Sequence, residues 1–332
     1  MQTTLLALVL ATAAQAQTFI YQNPAADQAI RRALQATYNL NLEEARRAAR
    51  ELQRTHPDHP VGFLLDGETY WWEAQTDPNN GKIKDQFFTA QEKTIDIGQK
   101  ALKGKKYPPL EIQAYLASAW GSKARFRLTQ EGVGFSTVND GRHAKNYALE
   151  VFEADPKYID ILVGVGAYNY FAGKVPAILK PFAWLLGASG DAQLGLKQLR
   201  TAMEQGRYAR TEAKIVLFTA LMKDGAFADS FKMLQGLMSE HPANYALYPW
   251  VTQWYLEQNK TTDAITYFER LHAEKLPASP RLAQHALFEK AVLQAQNGRR
   301  EDARATLRRL RTLGPPDPGL TRSVTAMEKE LN

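Results

Sequence analysis

Ala45 and Pro57 stand twelve residues apart, as do Ala144 and Pro156, Ala303 and Pro315, and Ser230 and Pro242. Each span reads as one helix with a small residue near its start. Proline ends it, because its ring lacks an N–H and clashes with the preceding turn. A helix-and-stop unit used several times restricts the chain to stacked helix pairs, each burying its apolar face only against its neighbours. With 332 residues, 45 % of them hydrophobic, there is ample core for such an array, which grows by adding units and need not split into domains.

The interval resembles the second helix of the tetratricopeptide repeat, a unit of about 34 residues with a small residue early in that helix and Pro at its end. Counting on from Pro57 puts Phe63, Gly67 and Tyr70 at the family's large, small and aromatic positions of the next first helix. From Pro156 the count reaches Leu162, Gly166 and Asn169, with the aromatic displaced to Tyr168 or Tyr170. From Pro242 it reaches Tyr248, Thr252 and Tyr255, then Ala264, Phe268 and Leu271 in the second helix. The resemblance implies an all-α, right-handed superhelical solenoid of about seven antiparallel helix pairs plus a capping helix. Expected pairs run from about Ala26 to Tyr38 with Leu42 to Arg54, Val61 to Ala74 with Asp85 to Leu102, and Leu110 to Leu128 with His143 to Ala154. Next come Ile159 to Phe171 with Ala192 to Gln205, Arg210 to Lys223 with Ala228 to Glu240, and Tyr245 to Glu257 with Thr262 to Glu274. The last pair spans Arg281 to Gln296 and Glu301 to Leu313, and Leu320 to Leu331 is the cap.

Three stretches break the period. Asp77 to Gly81 lengthens one turn, and Glu131 to Gly141, rich in Gly and Ser, is expected to be a mobile loop. Gly173 to Gly190 is the largest: Val175, Ile178, Leu179, Phe182, Leu185 and Leu186 recur at helical spacing, which predicts an inserted helical segment at 173–190. Pro176 and Pro181 would make that segment rigid and broken. Its apolar face either packs on the neighbouring units or docks a partner.

The first residues suggest an address. The apolar run Leu5 to Ala11 is too short to span a bilayer, and Ala14-Gln15-Ala16 is a small-x-small cleavage pattern. Residues 1–16 therefore read as a signal peptide cleaved after Ala16, leaving 17–332 as one solenoid domain, periplasmic or secreted, with no stable membrane insertion afterwards. The absence of cysteine excludes a disulfide framework, a thiolate metal site, a Cys nucleophile and a lipid-modified N-terminal Cys.

Candidate chemistry is sparse. The formal net charge of +6 is mild, and the Arg-rich stretch after Arg281 has neither interleaved aromatics nor a recognisable module, so nucleic acid is not expected as a partner. His56 and His59 flank Asp58, but His56 occupies the slot before the stop proline where Asp155, His241 and Gly314 stand in other units; it is a helix-end residue, not a metal ligand. Gly164-x-Gly166 lacks the third glycine of a dinucleotide loop, and Gly166 is explained by close helix packing. No catalytic residue, metal or cofactor is predicted.

The resemblance implies that first-helix positions line a concave surface, here Leu64, Glu68, Trp71, Trp72, Tyr170 and Gln253. Adjacent Trp71 and Trp72 cannot both face one neighbour, so one is expected to line the groove. Trp120, Phe126, Trp250 and Trp254 also lie on first helices. The expected function is a non-enzymatic scaffold of the bacterial cell envelope that holds a protein or peptide partner on its concave face. The alternatives are a binding protein for a glycan or small ligand, stacked on the aromatic strip, or a glycan-cleaving enzyme with two carboxylates in the groove.

Overall fold

The computed structural model describes residues 17–78, 80–132, 134–175 and 189–331. The described residues form fifteen α-helices and no strand: α1 Pro24–Tyr38, α2 Leu42–Thr55, α3 Val61–Thr76, α4 Gly81–Gly104, α5 Pro109–Gln130, α6 Phe135–Ala154, α7 Leu162–Gly173 and α8 Ala192–Gln205. The second half continues with α9 Arg210–Lys223, α10 Phe227–Glu240, α11 Tyr248–Leu256, α12 Thr261–Lys275, α13 Pro280–Gln296, α14 Arg300–Thr312 and α15 Pro318–Leu331. Consecutive helices pair as units 1 to 7, from α1–α2 to α13–α14, with α15 as the cap; the chain is a helical solenoid.

Local chemistry sets the helix ends. Asn23 starts α1 by accepting the Ala25 and Ala26 N–H groups at 3.1 and 3.2 Å, ahead of Pro24 in the first turn. In α2, Asn41 caps the start, Glu43 and Glu44 face the positive end of the dipole, and His56 closes the helix with its N–H on Leu52 O at 2.8 Å. The buried face of α2 is Ala45, Ala48, Ala49 and Leu52, spaced to lie on one side. Three alanines there bring α1 and α3 close, and burying Leu52 contributes about 2 kcal/mol. In unit 4, a Cβ on Gly166 would come within 2.9 Å of Leu199 Cγ and 3.0 Å of Gly195 O, so α7 and α8 pack backbone to backbone there. At the far end, Leu320, Val324, Met327 and Leu331 of α15 cover Leu287, Ala291, Leu307 and Leu310.

Two expectations change. The Glu131 to Gly141 loop is only four residues long, because α6 begins at Phe135 and Gly141 lies inside it. Gly132, in left-handed backbone with φ of 81°, turns the chain out of α5, and Thr137 ties the first turn of α6 back to Gly132 O at 3.0 Å. α3 and α4 run on to Thr76 and from Gly81, so Asp77 to Asn80 is a tight connection. Residues 1–16 and most of the 173–190 segment, namely 176–188, lie outside the described residues.

The array also closes on itself. Asn244, in the turn between units 5 and 6, donates to Tyr38 O at 2.9 Å, and Tyr38 packs against the His241 ring at 5.3 Å. Asp27 of α1 accepts from Tyr208 and Arg207, in the turn between units 4 and 5. Asp77, after α3, binds Arg322 of α15 through both carboxylate oxygens. Units 1 and 2 therefore carry units 5 to 7 and the cap on top of them.

Candidate functional site

That closure decides where the expected groove residues sit. Trp71 is 3 % exposed and Trp72 2 %. The two indoles meet edge to face at 4.8 Å; Trp72 also meets Tyr38 edge-on at 6.0 Å and lies 6.2 Å from Trp250 of unit 6. Neither lines an open groove. The adjacent tryptophans face different neighbours: Trp71 the Arg125 guanidinium, Trp72 the rings of Tyr38 and Trp250. Tyr170 is fully buried, and its hydroxyl donates to Ala220 O at 2.7 Å and meets Asp224 at 2.8 Å. Leu64 packs with Ile95, Ile112 and Leu116 between units 2 and 3. Gln253 is exposed on α11. The six positions are thus scattered over several environments, and Glu68 is the one at the centre of a polar cluster.

Glu68 projects from α3 into the seam between the halves. Its Oε1 accepts from Gln91 Nε2 at 3.1 Å and from the Ser122 hydroxyl, and its Oε2 from Arg125 Nη2 at 3.0 Å. The other arm of Arg125 donates to Glu212 of α9, and its guanidinium lies 4.0 Å from the Trp71 ring centroid. One arginine thus clamps two carboxylates that are 57 and 87 residues away in sequence. Burial pushes the Glu212 carboxyl above its ordinary range; Arg125 opposes this and the Glu68 charge reinforces it. Burial, with the charges of Glu212 and Glu68, also holds the Tyr38 hydroxyl firmly protonated. With both carboxylates bound to one guanidinium, the arrangement is suited to holding α3, α5 and α9 together. Arg125 and Glu212 escape sequence reading because nothing local separates Arg125 from Arg127, whose partners Asp140 and Glu131 lie in its own unit.

His59 is fully buried, edge-on to Tyr107 at 4.6 Å and to Tyr115 at 5.1 Å, with Glu111 3.7 Å away. Glu111 in turn accepts the Ile20 N–H at 2.9 and 3.0 Å and ties down the first turn of the described chain. Among the described residues no group of three His, Cys, Asp or Glu side chains is placed to hold a metal ion. No described helix is long and apolar enough to cross a membrane.

The outside of the molecule has a different feature. Among the described residues the exposed large hydrophobics are Leu128, Phe135, Val138, Phe171 and Leu194, with Phe135 87 % exposed. Leu128 ends α5, Phe135 and Val138 begin α6, Phe171 ends α7 and Leu194 begins α8. In an antiparallel array these positions share one edge, where the two helices of a unit join; all five belong to units 3 and 4. Composition gives no hint of this cluster, since each residue fits an ordinary helical face.

The family model for the tetratricopeptide repeat matches residues 285–313, which is α13 with α14. No curated protein matches significantly. Among solved structures, the chain is similar to a tetratricopeptide repeat protein from Parabacteroides merdae, at 14 % identity over 91 % of this chain and 99 % of that one, with a TM-score of 0.39. It is also similar to the tetratricopeptide domain of P58(IPK), at 13 % identity over 91 % and 98 %, with a TM-score of 0.24. The last helix pair therefore carries the tetratricopeptide pattern in its sequence.

Proposed function

We propose that the whole array is of tetratricopeptide type and that the protein is a non-enzymatic interaction scaffold of the bacterial cell envelope, holding a protein partner on the unit 3 and 4 edge. The observation that carries this is the contrast between a filled interior and an open apolar edge: Trp71, Trp72 and Tyr170 are buried by the chain itself, while Phe135 stands in solvent. A peptide in the groove, or a sugar on an aromatic strip, would need the surface that Trp250 and Tyr38 already occupy. Glu68 and Glu212 are the paired carboxylates an enzyme would want, but both are held by Arg125, an arrangement that supports a clamp. The envelope address rests on the signal-like residues 1–16.

In-cell photocrosslinking tests the edge. A photoreactive residue at position 135 should give one discrete adduct that is missing when it stands at Lys232, an exposed position on α10. Equal or absent adducts at both sites would remove the edge as a docking surface. The address is tested by the mass of the exported protein, which should begin at Gln17; a retained Met1 would refute it.

A further inference from the structure

Where unit 2 meets units 6 and 7 and the cap, four helices leave a cleft of about 130 Å³ between them. Its walls are Pro78 after α3, Pro249 at the start of α11, Phe288 and Glu289 on α13, and Leu320 on α15. Most of this surface is apolar, and Glu289 stands on it as a carboxyl that is only 7 % exposed. A volume of this size has room for about four waters, or for a ligand of about six non-hydrogen atoms at most.

The charges around the cleft cancel in pairs, except at Glu289. Arg281 donates to Asp317 at 3.2 Å and also to the Tyr245 hydroxyl, and His285 Nε2 lies 2.8 Å from the same Asp317 carboxylate. Asp77 holds Arg322. Tyr245 is pushed up to about 12 by burial, and burial holds His285 below its ordinary value, so neither takes up the role of a cation or anion near pH 8. Glu289 Oε2 accepts from the Thr252 hydroxyl; among the described residues Oε1 has no hydrogen-bond partner and no cation lies beside the carboxyl. Above pH 7 the fold therefore carries an uncompensated buried charge, which an arriving cation would relieve. A divalent metal ion would want several carboxylates, whereas one carboxylate on an apolar wall suits an organic cation with a short carbon chain.

We propose that this cleft binds a primary ammonium group on a short alkyl chain, with Glu289 as its counter-ion and Pro78, Pro249, Phe288 and Leu320 around its carbons. The site belongs to units 2, 6 and 7 and the cap, and it stands whether or not the unit 3 and 4 edge docks a protein. Protonated Glu289 cannot serve as counter-ion, so affinity rises with pH. The ammonium itself stays charged throughout, as the lysine amine does.

Isothermal titration calorimetry of the full chain with n-butylammonium is the test. Saturable one-to-one binding is expected at pH 8, about tenfold weaker at pH 6, where the carboxyl is mostly protonated. n-Butanol, which has the same carbon chain and no charge, should bind at least tenfold more weakly than the amine at pH 8. Glu289→Gln keeps the size of the side chain and a partner for Thr252, and it should abolish amine binding while its melting temperature shows it folded. A parallel titration with Nα-acetyl-lysine methylamide separates two sources of the same group: binding there supports a lysine side chain of a partner, and binding of n-butylammonium alone supports a free amine. Absence of saturable amine binding at pH 8, equal affinity at pH 6 and pH 8, or undiminished binding to Glu289→Gln would each overturn the proposal.

Discussion

The joining edges of units 1 and 2 and those of units 3 and 4 are built from equivalent helix ends, yet the described ends of the first pair are buried and those of the second expose large apolar side chains. Tyr38 is 8 % exposed at the end of α1, whereas Leu128 is 49 % exposed at the end of α5. The turn of the superhelix accounts for the difference. It is tight enough to bring Asn244 onto unit 1 and Arg322 onto unit 2. Equivalent positions in a repeat thus acquire opposite roles according to what the superhelix lays over them: structural seam in one place, free surface in the other.

The largest test of the seam is Arg125→Met. It leaves the partly buried Glu68 and Glu212 without their shared cation, and denaturant unfolding should report a loss of about 3 kcal/mol. Glu212→Gln should cost less, because burial already favours the protonated form of that group; an Arg125→Met variant as stable as wild type would mean the halves are not clamped there.

The second test is pH. Burial raises the carboxyl of Glu289, next to Thr252 beneath the seam, from 4.5 to about 7. Between those values the folded protein holds a proton that the unfolded chain releases. The contribution is therefore complete below pH 4.5 and is lost as pH rises through 7, on the order of 3 kcal/mol. Glu289→Gln should flatten that part of the stability profile, and an unchanged profile would contradict the burial of this carboxyl. A smaller effect is expected from Asp77→Ala, which removes the bond to a half-exposed Arg322: about 1 kcal/mol in the same unfolding assay, with proteolysis near the cap accelerated. Smallest of all, Phe135→Ser on the open edge should change monomer stability by less than about 0.5 kcal/mol. A large loss at Phe135 would show that the edge is covered after all and would dissolve the contrast between the two pairs of units.

How legible the sequence is depends on the range of the interaction. Helix ends were readable where a stop acts within a few residues: His56 closes α2 as expected, and Ala45 and Gly166 mark close helix contacts. The start of α6 was missed because Gly132, Gly134 and Ser136 signal a loop, although only the turn at Gly132 needs one. The site was far less legible. Trp71 and Trp72 look like groove residues when only their own unit is considered, since Trp72 packs beside Trp250 of unit 6 and Trp71 lies under Arg125, which is bound to Glu212 of unit 5. The clamp of Glu68, Arg125 and Glu212 depends on three helices from units 2, 3 and 5.

By itself the sequence determined the repeat: helix pairs of a given length, their small contact residues, and their proline stops, all enforced by hydrogen bonds and packing between residues close along the chain. Only the tertiary structure decided that the superhelix closes and fills its own interior. The pitch that brings Asn244 to Tyr38 and Arg322 to Asp77 is the sum of small rotations between successive units, and no short stretch of sequence records that sum.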